Sequence, residues 1–343
     1  MDALKTVAQF IDRINHGDAQ GVANSISTDH TFIDAEGHIE NKYDRIITGW
    51  NDYLKTFKNY KIYIRQVYEL EDSFALLGYT SGSHLNLSDE VEFHTEGKIW
   101  LARVANSKLT YWQTFSDSIE NSETLRLQES SERYLPSFFA ATIAKHLDLL
   151  PEGSRMRDVR DVRMYYSHLY RHAPPKIILA IAENLIFKQG YRLIPYELIY
   201  YHPGTIELLT PQSVEALGKG INDWSSSDIF ARYIAGPTWL SDIISDDMIE
   251  KWLDSSSPWW RRAALVSTIY LHGDVDRMFT YCQRLVHDPE DSIIKAVSWV
   301  LREALRYDQS GVIDFLANNE DHLAPRIKVE VGLELKSVMQ TPS

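Results

Sequence analysis

Residues 222–230 read NDWSSSDIF and set Trp224 four positions before Asp228. On a helix that spacing places an indole and a carboxylate on one face, one turn apart. A carboxylate beside an aromatic face suits stabilisation of positive charge that develops on a bound ligand. The same stretch also suits a helix start, with Asp223 or one of Ser225–Ser227 as the cap. A further indole stands in DSIIKAVSWVLREALR, residues 291–306. There Ile293, Ile294, Val297, Val300, Leu301, Ala304 and Leu305 fall on one apolar stripe. Trp299 falls on the opposite face, with Lys295, Arg302 and Arg306. An indole on a basic face reads either as packing against a neighbouring helix or as a platform for an anionic ligand with rings, such as nucleic acid. In SSSPWWRRAALVS, residues 255–267, Pro258 opens a helix, and Trp259 and Trp260 precede Arg261 and Arg262. One of these arginines reads as facing solvent or a salt bridge, and the other as a planar fork for a phosphate.

The elements that must hold these residues fall into two halves with different patterning. Residues 1–118 mix helix and strand signals. LKTVAQFIDRI and YDRIITGWNDYLKTF have helical spacing, whereas YKIYIRQVYEL, SFALLGYTSGSHLNL, VEFHTEGKIWLARVAN and KLTYWQTF read as strands. Helices followed by a meander of long strands imply an α+β domain with a curved antiparallel sheet wrapped on helices. Residues 119–133 are polar, rich in Ser and Glu, and read as a linker. From 134 to 343 the strand signals give way to a run of amphipathic helices separated by Pro, Gly or Asp. Helix pairs at this spacing predict an all-α, HEAT-like solenoid with a concave face.

Bulk properties narrow the function. The chain has 343 residues, a formal net charge of −13 and a single cysteine, Cys282. One cysteine excludes an intramolecular disulfide and disfavours a thiolate metal site. His168 and His172 lack a third ligand nearby, so no metal is expected. The N-terminus is amphipathic rather than a signal peptide, and no apolar run spans a bilayer, which predicts a cytoplasmic location with no membrane partner. The acidic balance argues against general affinity for the phosphate backbone and confines any nucleic-acid contact to a local basic cleft.

In order and spacing, DWSSSD, WWRRAAL and IKAVSWVLRE resemble three motifs of the AlkD-like alkylpurine DNA glycosylases, a family of HEAT-like helical repeats. The resemblance covers about 150–338. It implies hydrolysis of the N-glycosidic bond of cationic N3- or N7-alkylated purines in double-stranded DNA, a reaction that needs no metal or organic cofactor. It also implies Asp228 as the catalytic carboxylate, Trp224 and Trp299 as aromatic walls and Arg262 as the phosphate contact. Arg261, Lys295, Arg302 and Arg306 would be accompanying DNA-binding cations. A non-catalytic protein binding DNA structures or other proteins through the same face is the alternative.

FIDRINHGDAQGVANSISTDHTFIDAEG is similar to the opening of the SnoaL-like, ketosteroid-isomerase-like cone fold. The resemblance puts Asp34 at the general-base position. However, Phe10 and Ile99 stand where the oxyanion donors would be, so isomerisation is not implied. It implies instead a small-molecule pocket, lined by Asp34, Trp50, His94, Trp100 and Trp112, or a module for homodimerisation. Small-molecule chemistry in the cone is the third reading of the chain. Asp34 also has a simpler use, accepting hydrogen bonds from turn amides near Gly37.

Overall fold

In YKIYIRQVYEL the buried positions are Ile62, Ile64 and Val67. The first two obey the period of a half-buried strand, and the third is out of phase. The phase slips because a bulge falls between Ile64 and Gln66, which bends the strand and re-aims its side chains. The computed structural model, which describes residues 3–95, 97–271 and 273–340, divides into two compact units, 1–162 and 163–343.

The first unit runs α1 (Ala3–Asn15), α2 (Ala19–Ser25), β1 (Ile26–Ile33), β2 (Ile39–Glu40), α3 (Tyr43–Thr56), β3 (Lys61–Glu69) and β4 (Phe74–Ser81). It continues through α4 (Asp89–Thr95), β5 (Lys98–Ala105), β6 (Lys108–Ser116), α5 (Ile119–Thr124), β7 (Ser131–Arg133) and α6 (Pro136–Asp148). Helix α1 buries Leu4, Val7, Phe10, Ile11 and Ile14, the i, i+3, i+4, i+7 face of an amphipathic helix. Phe10 meets Trp112 of β6 at 5.0 Å and Trp50 of α3 at 5.9 Å between ring centroids.

Four features differ from expectation. The sheet order is β2-β1-β6-β5-β4-β3-β7, and β1 lies parallel to β6, so the sheet is mixed rather than antiparallel. The reason is topological: β3 starts at the far side, and the meander β3-β4-β5-β6 returns to β1 from there. VEFHT forms α4 instead of a strand, because Glu92 buries its carboxylate under the Thr80 hydroxyl and the Ser83 amide. Residues 119–133, expected to be a linker, contain α5, a 3-10 turn and β7, and β7 pairs with β3 through Val67, Tyr68 and Glu69. Leu127 there is buried. Finally, α6 belongs to the first unit rather than opening the solenoid. Its Thr142 hydroxyl donates to the Ile64 carbonyl beside the β3 bulge. The division therefore falls at 162/163 where the expectation was 133/134.

Helix α7 (Met156–Leu169) leads into the second unit. There follow α8 (Pro175–Phe187), α9 (Leu193–Tyr201), α10 (Pro211–Gly218), α11 (Trp224–Phe230), α12 (Gly236–Leu240), α13 (Asp246–Leu253) and α14 (Pro258–Ser267). The last are α15 (Val275–Leu285), α16 (Asp291–Ala304), α17 (Gln309–Asn318) and α18 (Pro325–Gln340). The described part of this unit is entirely helical, and one continuous core runs from Ala182 to Val331. Pro and Gly punctuate it as the sequence predicts, with Pro in the first turn of α8, α10 and α14. No helix of the described residues is long and apolar enough to cross a membrane.

Candidate functional site

Helix α11 begins where its sequence dictates. The Asp223 carboxylate accepts from the Ser226 amide at 2.6 Å, and the Ser226 hydroxyl closes a capping box on the Asp223 amide. Asp223 is therefore the cap, which leaves Asp228 free for another role. Trp224, the first helical residue, is 63% exposed, unusual for the largest apolar side chain. Asp228, one turn on, is half-buried. Its carboxylate takes a bidentate pair from Arg262 of α14, Nε to Oδ1 at 2.8 Å and Nη2 to Oδ2 at 2.9 Å. The remaining Nη1 of Arg262 donates to the Ser292 carbonyl at the start of α16. Loss of hydration raises the Asp228 carboxyl above its ordinary value, the Arg262 hydrogen bonds and charge oppose that rise, and Asp223 adds to it.

Directly after Phe230 the helix widens into a π-helical turn, Ala231–Ala235, before α12 continues it. Such turns often accompany functional sites. This one carries Arg232, which is exposed, stacks over Tyr233 at 5.2 Å and makes no ion pair with any described residue. Nearby, burial pushes the Tyr270 phenol up to about 12; Arg232 opposes the shift, and Asp228 and Glu303 reinforce it. Tyr270 is thus within electrostatic reach of carboxylates on both α11 and α16. Trp299 of α16 is half-buried against the core and donates its indole N–H to Glu303 at 3.4 Å. Arg262 joins Asp228 directly, and the Tyr270 phenol relates Asp228 to Glu303 and hence to Trp299.

The expected cations have partners within the protein. Arg262 is buried and committed to Asp228 and Ser292, so it holds the carboxylate rather than standing open to solvent. Arg261 pairs with Asp288 at 2.7 Å and donates to the Ser255 and Ser256 carbonyls. Lys295 pairs with Asp291 at 2.6 Å, Arg306 with Glu303 at 2.8 Å, and Arg302 donates to the Ser298 carbonyl at 3.3 Å. Three residues were missed by the sequence reading: Arg232, Tyr270 and Glu303. Arg232 and Glu303 each lie four residues after a chosen residue, Asp228 and Trp299, so helical spacing held the signal. Tyr270 carried no such signal.

The first unit encloses a cavity of about 480 Å³, within the size range of small-molecule pockets. Asp34, Trp50, Trp100 and Trp112 line it, as do Tyr53, Tyr60 and His84. His94 does not. It sits on α4, where its ring meets His146 of α6 at 5.1 Å, because α4 replaces the expected strand. The Asp34 carboxylate is tied to its own turn, accepting from the amides of Glu36 and His38 and bonding the His38 ring at 3.0 Å. Burial would raise this carboxyl, but the His38 and Glu36 bonds prevail and lower it. A low, occupied carboxylate is a poor general base.

A family model described as DNA alkylation repair enzyme matches residues 159–334. Among solved structures, the chain is similar to an NTF2-like protein of unknown function from Cytophaga hutchinsonii, 13% identical over 34% of this chain and 91% of that one, with a TM-score of 0.27. It is also similar to a putative SnoaL-like polyketide cyclase from Jannaschia sp. CCS1, 12% identical over 36% and 90%, with a TM-score of 0.29. No curated protein matches the chain.

Proposed function

Because the chain belongs to the DNA alkylation repair enzyme family, we propose that its second unit hydrolyses the N-glycosidic bond of cationic N3- or N7-alkylated purines in double-stranded DNA. The first unit, in this reading, binds a small molecule. Asp228 carries the proposal: it is a half-buried carboxylate one turn from an exposed indole and held in a fixed plane by a bidentate arginine. In the reaction the bond from the anomeric carbon to the ring nitrogen breaks, and its electron pair stays with the base and cancels the base's positive charge. The sugar takes up positive charge as the base leaves. Asp228 faces that charge, with little solvent to screen it, and orients the water whose oxygen bonds to the anomeric carbon. The water's surplus proton passes to solvent.

Trp224 and Trp299 supply the π faces that favour a cationic sugar between them. Arg262 acts as a positioning residue, since two of its donors fix the carboxylate. Arg232, exposed and without an ion pair among the described residues, takes the role of phosphate contact. No metal enters this chemistry. The test is release of alkylated base from methylated duplex DNA, followed chromatographically under single-turnover conditions. Asp228→Asn is expected to slow excision by about 10²–10³-fold. The wild-type rate should fall as acid protonates Asp228, and this limb should lie above the ordinary aspartate value of about 3.9, because burial raises the carboxyl. Full excision by Asp228→Asn would remove the carboxylate from the mechanism.

A further inference from the structure

Residues 162–182 contain no aspartate or glutamate, although the chain as a whole carries 48 acids against 35 lysines and arginines. The stretch covers the end of α7, a turn and the start of α8. Three of its basic side chains meet at that turn. Arg171 donates from Nε to His172 Nε2 at 3.0 Å, and its Nη1 bonds His168 Nε2 at 3.1 Å. Arginine can only donate, so both imidazoles accept at Nε2 and carry their own proton on Nδ1. All three residues are exposed. Arg171 forms no ion pair with any described residue, and its Nη2 has no partner among them. Part of this arrangement serves α7 itself, since Nη1 also reaches the His168 carbonyl at 3.3 Å and a cation suits a helix C-terminus. That role needs one nitrogen and no histidine. The i, i+4 spacing of the histidines suits a metal, but a guanidinium takes the Nε2 atom of each.

A cluster of this kind is complementary to an anion with several oxygens. A guanidinium fork holds two oxygens of a phosphate at once. When an anion takes the fork, each imidazole loses its donor, and a proton at Nε2 turns it from acceptor to donor toward the same anion. Three positive groups then face one ligand, which favours a doubly charged phosphate monoester over a singly charged diester or carboxylate. Lys176, exposed and without an ion pair among the described residues, stands in the first turn of α8. That turn has no acid and no side-chain cap, so its positive end adds to the same potential. His202 lies against the turn. Loss of hydration lowers it, against the carbonyls of Pro203, Ala173 and Tyr170, so its charge stays out of the balance.

We propose that Arg171, His168 and His172 form a binding site for a phosphate monoester dianion, supplied by a nucleic-acid end or by a free phosphomonoester. The site is independent of the role given to Asp228. Side-chain nitrogen NMR of the full chain at pH 7 tests it, following the Nε2 signals of His168 and His172 as inorganic phosphate is added. Both signals are expected to move toward the protonated position and to saturate together. Arg171→Gln is expected to weaken the affinity about tenfold, the loss of one charge-assisted hydrogen bond. Arg171→Lys, which keeps the charge and loses the fork, should fall between the two. Shifts that grow without saturating, or an unchanged affinity in a folded Arg171→Gln protein, would overturn the site. Acetate binding as tightly as phosphate would overturn the phosphate assignment. Two duplexes of one sequence, ending in a 5′-phosphate or a 5′-hydroxyl, locate the source. Tighter binding of the phosphorylated duplex than of inorganic phosphate assigns a nucleic-acid end, and binding of inorganic phosphate alone assigns a free monoester. Equal binding of both duplexes through Arg171 would overturn the monoester in favour of the backbone diester.

Discussion

Asp228 and Arg262 show what a single residue pair can and cannot do. Arg262 is buried, and its guanidinium satisfies a carboxylate that would otherwise be expensive to keep charged. An arginine spent in this way is a poor choice for gripping DNA. The geometry instead points to Arg232, one turn beyond Asp228 on a turn of π-helix. Arg232→Ala is expected to weaken binding of duplex DNA and to make the dependence of log affinity on log salt shallower by about one. Titrations at several salt concentrations check this; an unchanged slope would take Arg232 out of the interface. At this scale the Trp224–Asp228 pair was legible because helical spacing is a property of sequence. That Arg262 faces Asp228 was not, since thirty-four positions separate them and only the packing of α14 on α11 joins them.

The α11 element depends on its first turn. Trp224 is the first helical residue, and Asp223 and Ser226 hold the backbone there with reciprocal bonds. Asp223→Ala is expected to cost about 1 kcal/mol in chemical denaturation. It should also reduce excision, because the exposed indole then stands on a frayed start, whereas Asp223→Asn should restore most of both. Loss of stability with excision untouched would show that the cap does not position Trp224. Element type was largely readable from periodicity, although the spacing predicts one helix over 239–253 where the structure has a turn between α12 and α13. The failure at α4 is instructive. VEFHT alternates like a strand, yet Glu92 is completely buried, and only a helix there presents its carboxylate to Thr80 and Ser83. Tertiary hydrogen bonds outweighed a weak local preference.

For the whole molecule, the first unit carries its own acid sensitivity. Loss of hydration, with His94 adding to it, holds His146 of α6 down at about 4. Burial also lowers His30 of β1, against the opposing bond to the Leu109 carbonyl. In the unfolded chain these groups titrate near 6.5. Between about 6.5 and about 4 the unfolded chain holds more protons, so stability is full above that window and is lost as pH falls through it. His146 alone is expected to contribute about 1–2 kcal/mol, allowing for its partial exposure. Urea denaturation at pH 7 and pH 4.5 checks this, with His146→Gln expected to flatten the difference; parallel behaviour of the two proteins would refute it.

By itself the sequence determined the two kinds of architecture, the positions of most helices, a cap among Asp223 and Ser225–Ser227, and the shared helix face of Trp224 and Asp228. These follow from local periodicity and from side chains that act within one turn of their own backbone. Only the tertiary structure decided that α5, β7 and α6 complete the first unit, that β1 runs parallel to β6, and that Arg261 and Arg262 are spent on Asp288 and Asp228. Each of those outcomes depends on which distant groups meet, and a hydrogen bond or ion pair across dozens of residues leaves no mark on the spacing of either partner. NDWSSSDIF therefore told where a carboxylate and an indole would share a face, and the fold told which arginine would hold that carboxylate in place.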